Sequence, residues 1–365
     1  MEIKSDKEIK CIIWDLDNTI WDGTLLESDA VHLKPGIKEA IVELDARGIL
    51  HSIASKNEYE CAVAKLKEFG IYDYFLYPEI NWNAKSESVK RIRRNLNIGM
   101  DNILFIDDQL FELEEVANCH ETISVIDIPE PDMLLMHDQL RPSFITEDSR
   151  RRRTMYLEDI ERRKYEEKYV GPKEEFLASL NMKFSISIAS EDDLARAEEL
   201  TVRTNQLNTT GLTYSYSELS EYIHSVKYEL FVCELEDKYG TYGKIGLALI
   251  EYEKDHWSLR LLLMSCRIIS RNVGNILLSY IMFQAKLAGK KLRADFKQTE
   301  KNKVMYVTYK FSNFKEVEND GNGNIVFEND LTYITPYPKF VEVLLPDTSF
   351  SPMGSETKTS GTNQF

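Results

Sequence analysis

The 365-residue chain carries a formal net charge of −16, and 43% of its residues are apolar. That length suits two domains, each with a core of its own, while the acidic balance argues against nucleic acid or an anionic membrane as partner, since both select a basic face. An acidic protein partner needs only a local basic patch. The five cysteines, Cys11, Cys61, Cys119, Cys233 and Cys266, are widely spaced, odd in number and without a CxxC pair, which argues against a disulfide framework or a zinc site. Residues 1–10 are charged and lack the apolar stretch of a signal peptide, and no apolar run approaches the ~18 residues that span a bilayer. The expectation is a cytoplasmic, reduced protein.

Short apolar runs alternate with amphipathic stretches through residues 10–128. Strands are expected at Lys10–Trp14, Ile49–Ile53, Tyr74–Tyr77, Ile103–Ile106 and Ile123–Ile126. Helical spacing joins Ile37, Ile41 and Leu44; Ala62, Leu66 and Phe69; Val89, Ile92 and Leu96; and Leu110, Leu113 and Ala117. Alternating strands and helices predict an α/β domain with a doubly wound parallel sheet of five strands over residues 1–145. Ligands of such sheets bind at the carboxyl ends of the strands.

Residues 146–175 change character. Thr146–Tyr169 is mostly charged, includes Arg150 to Arg153, and ends at Gly171-Pro172. It reads as a solvated connecting helix, its arginines either plain surface or a docking patch for an acidic partner. Residues 176–346 form an α+β unit. Strands are expected at Met182–Ile188, Leu230–Leu235, Lys244–Tyr252, Trp257–Ser265 and Leu292–Phe296, with helices at Asp192–Arg203, Val273–Leu287 and Asn302–Phe311. The Ser-, Thr- and Gly-rich tail, 347–365, reads as disordered.

Polar residues punctuate the strand ends of the first domain. Asp15-Leu16-Asp17-Asn18-Thr19 follows the first strand, placing two carboxylates on one face. Such a pair suits magnesium, which takes hard oxygen ligands. It also suits a division of labour in which one carboxylate attacks phosphorus and the other moves the proton. Ser55-Lys56-Asn57 ends the second strand, where a hydroxyl and helix-start amides hold phosphoryl oxygens. Lys85 opens a helix, and Asp107-Asp108 closes the fourth strand. Asp15 to Ser55 and Ser55 to Lys85 are each only about 30–40 residues apart, too short for an inserted cap domain, so the site is expected to be open.

This order of an aspartate pair, Ser, Lys and an acidic pair resembles the haloacid-dehalogenase (HAD) superfamily. The resemblance implies Asp15 as nucleophile and Asp17 as general acid/base. It implies magnesium on Asp15, the Asp17 carbonyl and the Asp107/Asp108 pair, with Asp107 orienting Lys85 or a metal-bound water. Longer strings narrow it: Trp14–Gly23, Ser55-Lys56-Asn57, Phe105–Asp108, Arg203–Thr210 and Leu263–Arg267 followed by Ser270-Arg271. Over residues 8–318 these are similar to the FkbH-like proteins of polyketide biosynthesis, which join a capless HAD domain to a GNAT-like, acetyltransferase-like domain. The resemblance implies transfer of the glyceryl unit of 1,3-bisphosphoglycerate, with loss of phosphate, to the phosphopantetheine arm of an acyl carrier protein.

A thioester product calls for a thiol. Cys266 lies at an expected strand end before a helix, where the helix N-terminus, Arg267 and Arg271 would lower its pKa; its alternative is packing, as for the other four cysteines, which sit in apolar periodic runs. His256, at the far end of the same strand, is roughly 30 Å away and no base for it. Arg271-Asn272-Val273-Gly274-Asn275-Ile276 is the counterpart of the GNAT pyrophosphate loop, without its last small residue. Asn205 and Asn208 are candidates for the glyceryl hydroxyls or local turn residues. Two other readings stay open: a plain phosphatase whose second domain recruits a partner, and a coenzyme A-dependent acetyltransferase regulated by the HAD part.

Overall fold

A computed structural model describes residues 8–28, 30–142 and 145–346; the tail expected to be disordered lies outside the described residues. Two compact units divide the chain at Glu161/Arg162.

In the first unit, β1 (Cys11–Trp14) is followed by the two-residue strands β2 (Trp21–Asp22) and β3 (His32–Leu33). Then come α1 (Ile37–Ala46), β4 (Leu50–Ser55), α2 (Tyr59–Glu68), β5 (Glu79–Ile80), α3 (Lys85–Leu96), β6 (Ile103–Ile106), α4 (Leu110–Cys119), β7 (Ser124–Ile126), α5 (Pro131–Met136) and α6 (Glu147–Arg150). The parallel sheet runs β5-β4-β1-β6-β7, with β2 and β3 forming a separate hairpin. β1 and β6 are wholly buried apolar runs, as strands covered on both faces require. This is the doubly wound, five-stranded parallel sheet expected.

One expected strand is displaced. Tyr74–Tyr77 has the apolar, aromatic composition of a strand, yet it meets β4 through an isolated bridge between His51 and Phe75 and a hydrogen bond from Ser52 Oγ to the Tyr77 carbonyl, not as a strand of the ladder. Tyr77 then turns into the left-handed region at φ 50° ahead of Pro78, and pairing resumes at β5, where Ser55 meets Ile80.

The charged segment after residue 146 is helical, as α7 (Arg152–Lys168), but it is not a solvated connector. Arg152 donates to the Gly48 carbonyl at 2.6 Å, and Arg153 pairs with Asp45 at 2.9 Å and stacks on Tyr74. In the second unit Arg162 is buried in a bidentate pair with Asp237 and lies over the Tyr242 ring. These arginines fasten the helix to its own units.

The second unit continues with α8 (Lys173–Ser179), β8 (Met182–Ile188), α9 (Glu191–Arg203), α10 (Tyr216–Ile223), β9 (Tyr228–Asp237), β10 (Gly240–Tyr252) and β11 (His256–Met264). It ends with α11 (Ile276–Leu287), β12 (Lys291–Lys297), α12 (Lys303–Phe311), β13 (Lys315–Asn319), β14 (Asn324–Asn329) and β15 (Val341–Leu344). The mixed sheet runs β13-β14-β12-β11-β10-β9-β8-β15, and with its helices makes the α+β unit expected. α11 is largely apolar and buries most of its length in the core of this unit, leaving Phe283 and Leu287 exposed. Among the described residues no helix is long and apolar enough to cross a membrane.

Candidate active site

The register of the parallel sheet assembles the first site. Trp14 lies beside Ile53 on one side and Ile106 on the other, so the next residues out, Asp15 and Asp107, sit side by side, with Ser55 close on the flanking strand. The Asp15 amide donates to the Ile106 carbonyl at 2.9 Å, which continues the ladder to Asp15 itself. Beyond Asp15 the chain curls. Asn18 takes φ 54°, a conformation asparagine tolerates better than most residues, and its side chain accepts from the Gly23 amide at 3.0 Å.

Lys85, the first residue of α3, is 3% exposed and bridges two carboxylates: Nζ is 2.8 Å from Asp15 Oδ1 and 2.6 Å from Asp107 Oδ2. Burial works against its charge, but Asp15 and Asp107 together hold its pKa above the ordinary lysine value. Asp107 is pushed up to about 7, first by burial and then by Asp15. Asp108 is also raised, by burial and by Asp15. Both oxygens of Asp107 are taken, Oδ1 by the Gln109 amide and Oδ2 by Lys85. Asp108 Oδ1 is buried with no hydrogen-bond partner among the described residues. Carboxylate oxygens of Asp15, Asp107 and Asp108 converge within 4.8 Å of one another. An all-oxygen donor set with one orphaned buried oxygen fits magnesium, and the division of partners makes Asp108 the better ligand and Asp107 the lysine's anchor.

Asp17 is half-buried. Its Oδ1 accepts from Trp21 Nε1 at 2.8 Å and from the Leu25 amide at 3.1 Å; its Oδ2 accepts from Asn57 Nδ2 at 3.0 Å. Burial raises its pKa, the nearby Asp15 charge adds to that, and the three donors oppose it. Asn57, expected on substrate, is thus turned onto Asp17 by the hydrogen bond its own Oδ1 accepts from Glu58 N. Lys56, also expected on substrate, pairs with Glu112 at 2.6 Å. Ser55 is buried at the head of the loop to α2.

Sequence reasoning did not find Trp21, Glu112 or Glu115. Glu115 on α4 accepts from both the amide and the hydroxyl of Ser86, which holds the start of α3 and with it Lys85. Trp21 stands six residues after Asp15 in the sequence; the two glutamates carry no local signal.

The second unit departs further from expectation. Cys266 is exposed, but it opens a short 3-10 turn, Cys266–Arg271, and α11 begins only at Ile276. Arg271 does not face the thiol. Its guanidinium is 2% exposed and bound to Tyr242 Oη at 2.8 Å and Glu166 at 3.2 Å. Arg267 Nε reaches the Ser265 hydroxyl at 3.4 Å. The positive surroundings expected for Cys266 are therefore consumed in packing. Gly274 is partly exposed, and a Cβ there would meet only Ile268 Cδ1, at an ordinary contact of 3.9 Å, so its turn does not require glycine. Of the other cysteines, Cys11 and Cys233 are buried, whereas Cys61 and Cys119 are exposed rather than packed.

Asn205 is exposed, whereas Asn208 is fully buried and serves as a turn residue, accepting from Thr210 N at 3.1 Å and Gly211 N at 2.9 Å. The purpose of that turn is visible in the sheet. β11 and β12 pair in parallel only over His256–Leu259 and Lys291–Ala294. Beyond that, Thr209 bridges them: it exchanges hydrogen bonds with Leu262 on β11, and its carbonyl accepts from Lys297 N on β12 at 3.0 Å. Asn302 Nδ2, fully buried, donates to the Asn208 carbonyl at 3.0 Å and the Lys297 carbonyl at 2.9 Å. Asn208 is thus not available to the glyceryl hydroxyls.

No family model matches the chain. It is similar to human magnesium-dependent phosphatase 1, at 26% identity covering 30% of this chain and 72% of that protein. Among solved structures it is similar to the N-terminal part of a Bacteroides fragilis protein, a phosphatase domain complexed with Mg, at 30% identity and a TM-score of 0.32; the match covers 37% of this chain and 40% of that one. It is also similar to the ribosomal-protein-S18-alanine N-acetyltransferase of Escherichia coli, at 14% identity and a TM-score of 0.32, covering 40% of this chain and 90% of that one.

Proposed function

We propose that the chain is a magnesium-dependent phosphatase with an aspartate nucleophile, joined to an acyl-transfer unit, and that together they act as a glyceryl transferase/phosphatase. The observation that carries the phosphatase reading is the Lys85 bridge between Asp15 and Asp107 beside the orphaned oxygen of Asp108. Asp15, Asp108 and the Asp17 carbonyl would hold magnesium, which when bound offsets the charge of the phosphoryl group. Asp15 attacks phosphorus while Asp17 gives its proton to the leaving oxygen; Asp17 then takes a proton from the water that releases phosphate. Lys85 keeps Asp15 ionised and offsets the approaching negative charge. Ser55 and the amides leading into α2 hold the remaining phosphoryl oxygens.

The substrate reading extends the resemblance to the FkbH-like proteins. Among the described residues between Asp15 and Lys85 the first unit holds only a hairpin of two two-residue strands, two helices, β4, β5 and turns, which supports a phosphoryl group presented by a large partner. The C1 acyl phosphate of 1,3-bisphosphoglycerate reacts with a thiolate, forming a carbon–sulfur bond as phosphate leaves; the 3-phosphate is the monoester for Asp15. Cys266 is the exposed cysteine of the second unit, and the carrier's phosphopantetheine thiol takes the acyl group by exchange. The test is intact-protein mass spectrometry after incubation with 1,3-bisphosphoglycerate, magnesium and a pantetheinylated carrier protein, where a glyceryl adduct on the carrier is expected. Release of phosphate without any adduct favours the second reading, a phosphatase whose other unit recruits a partner. The buried Arg271 counts against the third, a coenzyme A-dependent acetyltransferase, because its charge already belongs to Glu166.

A further inference from the structure

A general acid/base must present one particular oxygen to the leaving group and then to water. Each carboxylate oxygen has two in-plane lone pairs. Around Asp17 both acceptor positions of Oδ1 are filled, by Trp21 Nε1–H at 2.8 Å and Leu25 N–H at 3.1 Å. Among the described residues Oδ2 receives a single donor, Asn57 Nδ2 at 3.0 Å. The Asn57 amide cannot flip without losing its bond from Glu58 N, so that donor is fixed. Trp21 is itself held: it is fully buried, paired with Leu33 in the β2–β3 hairpin and packed against Phe69.

We propose that Trp21 is a positioning residue for the phosphatase reaction, its indole N–H closing Oδ1 so that Oδ2 of Asp17 is the oxygen that carries the proton. The inference rests on the phosphatase reading above. In the first step the Asp15–phosphorus bond forms and the ester P–O bond breaks, and the Oδ2 proton passes to the leaving oxygen. In the second step a water oxygen bonds to phosphorus, the Asp15–phosphorus bond breaks, and the water's proton returns to Oδ2. Atoms balance as ester plus water giving alcohol plus phosphate. Without the indole N–H, one lone pair of Oδ1 is open, the proton divides between two oxygens, and the carboxyl is free to rotate away from the leaving group.

Protonation matters most for a poor leaving group. The experiment therefore compares an alkyl phosphate with 4-nitrophenyl phosphate, using the full chain in magnesium buffer. The variants are Trp21→Phe and a chain with β-(benzothiophen-3-yl)alanine at position 21, which keeps the ring volume and replaces N–H by sulfur. The expected result for both is a fall in kcat/KM of roughly tenfold or more on the alkyl ester, a part of what general acid catalysis supplies, with a clearly smaller fall on the nitrophenyl ester. An equal fall on both esters, or no fall in the sulfur isostere, overturns the proposal, because a packing defect does not discriminate between leaving groups. A wild-type chain that hydrolyses neither ester overturns the phosphatase reading and this inference with it, so the two failures are told apart.

Discussion

The ammonium of Lys85 sits 2.8 Å from Asp15 Oδ1, both side chains buried at the carboxyl end of the parallel sheet. Taking two charges out of water is costly, and removing one partner of such a pair leaves the other uncompensated. Lys85→Met is expected to destabilise the chain by about 3 kcal/mol in metal-free buffer. Magnesium added to that variant is expected to recover part of the loss, since it supplies a cation to the same carboxylates. Thermal unfolding with and without magnesium measures both; a variant as stable as wild type in metal-free buffer contradicts the assignment.

His51 gives an acid-sensitivity of definite sign. It is fully buried on β4, its Nδ1 accepts from Trp14 Nε1 at 3.0 Å, and burial pushes its pKa down to about 3. The unfolded chain protonates near 6.5, so this contribution to stability is complete above that pH and is lost as pH falls from 6.5 toward 3. The slope is about 1.4 kcal/mol per pH unit from this group alone. Denaturant unfolding of wild type and His51→Gln between pH 7 and 5 checks it. The variant is expected to show the shallower dependence, and parallel curves contradict the account.

The bridge that Thr209 makes across β11 and β12 is testable as structure. Thr209→Val keeps the shape but leaves the Leu262 amide without its Oγ1 acceptor, a buried loss of about 1–3 kcal/mol. Thr209→Ser keeps the acceptor and is expected to lose less. Urea midpoints at constant m-value separate the two; a valine variant as stable as wild type would mean that the hydroxyl does not matter there.

Cys266→Ala separates the two proposed chemistries. Loss of carrier loading with phosphate release retained is expected if the exposed thiol holds the glyceryl unit. Normal loading by that variant would mean direct transfer to the carrier thiol.

The first site was legible because β1 and β6 are continuous apolar runs that stop at Asp15 and Asp107, while β4 ends on Ser55, and parallel register then brings the three together. Tyr74–Tyr77 misled because burial against the core and pairing in the sheet select the same residue types. Arg153 and Arg162 were read as solvated because a charged residue announces its charge but not its partner, here Asp45 and Asp237. β13 was invisible for the opposite reason: Lys315–Asn319 is exposed throughout and held by backbone pairing with β14. Arg271 showed its charge in the sequence, but only the fold brings Tyr242 and Glu166 to it.

The central claim is that Asp15 is the nucleophile of a magnesium-dependent phosphatase. Phosphate release from a phosphomonoester by wild type and Asp15→Asn, in magnesium buffer and after chelation, tests it most directly. The account predicts release by wild type that chelation abolishes, and a loss of roughly four orders of magnitude or more in the variant, the scale seen when a catalytic nucleophile is removed. Release by Asp15→Asn at a rate near that of wild type would contradict it.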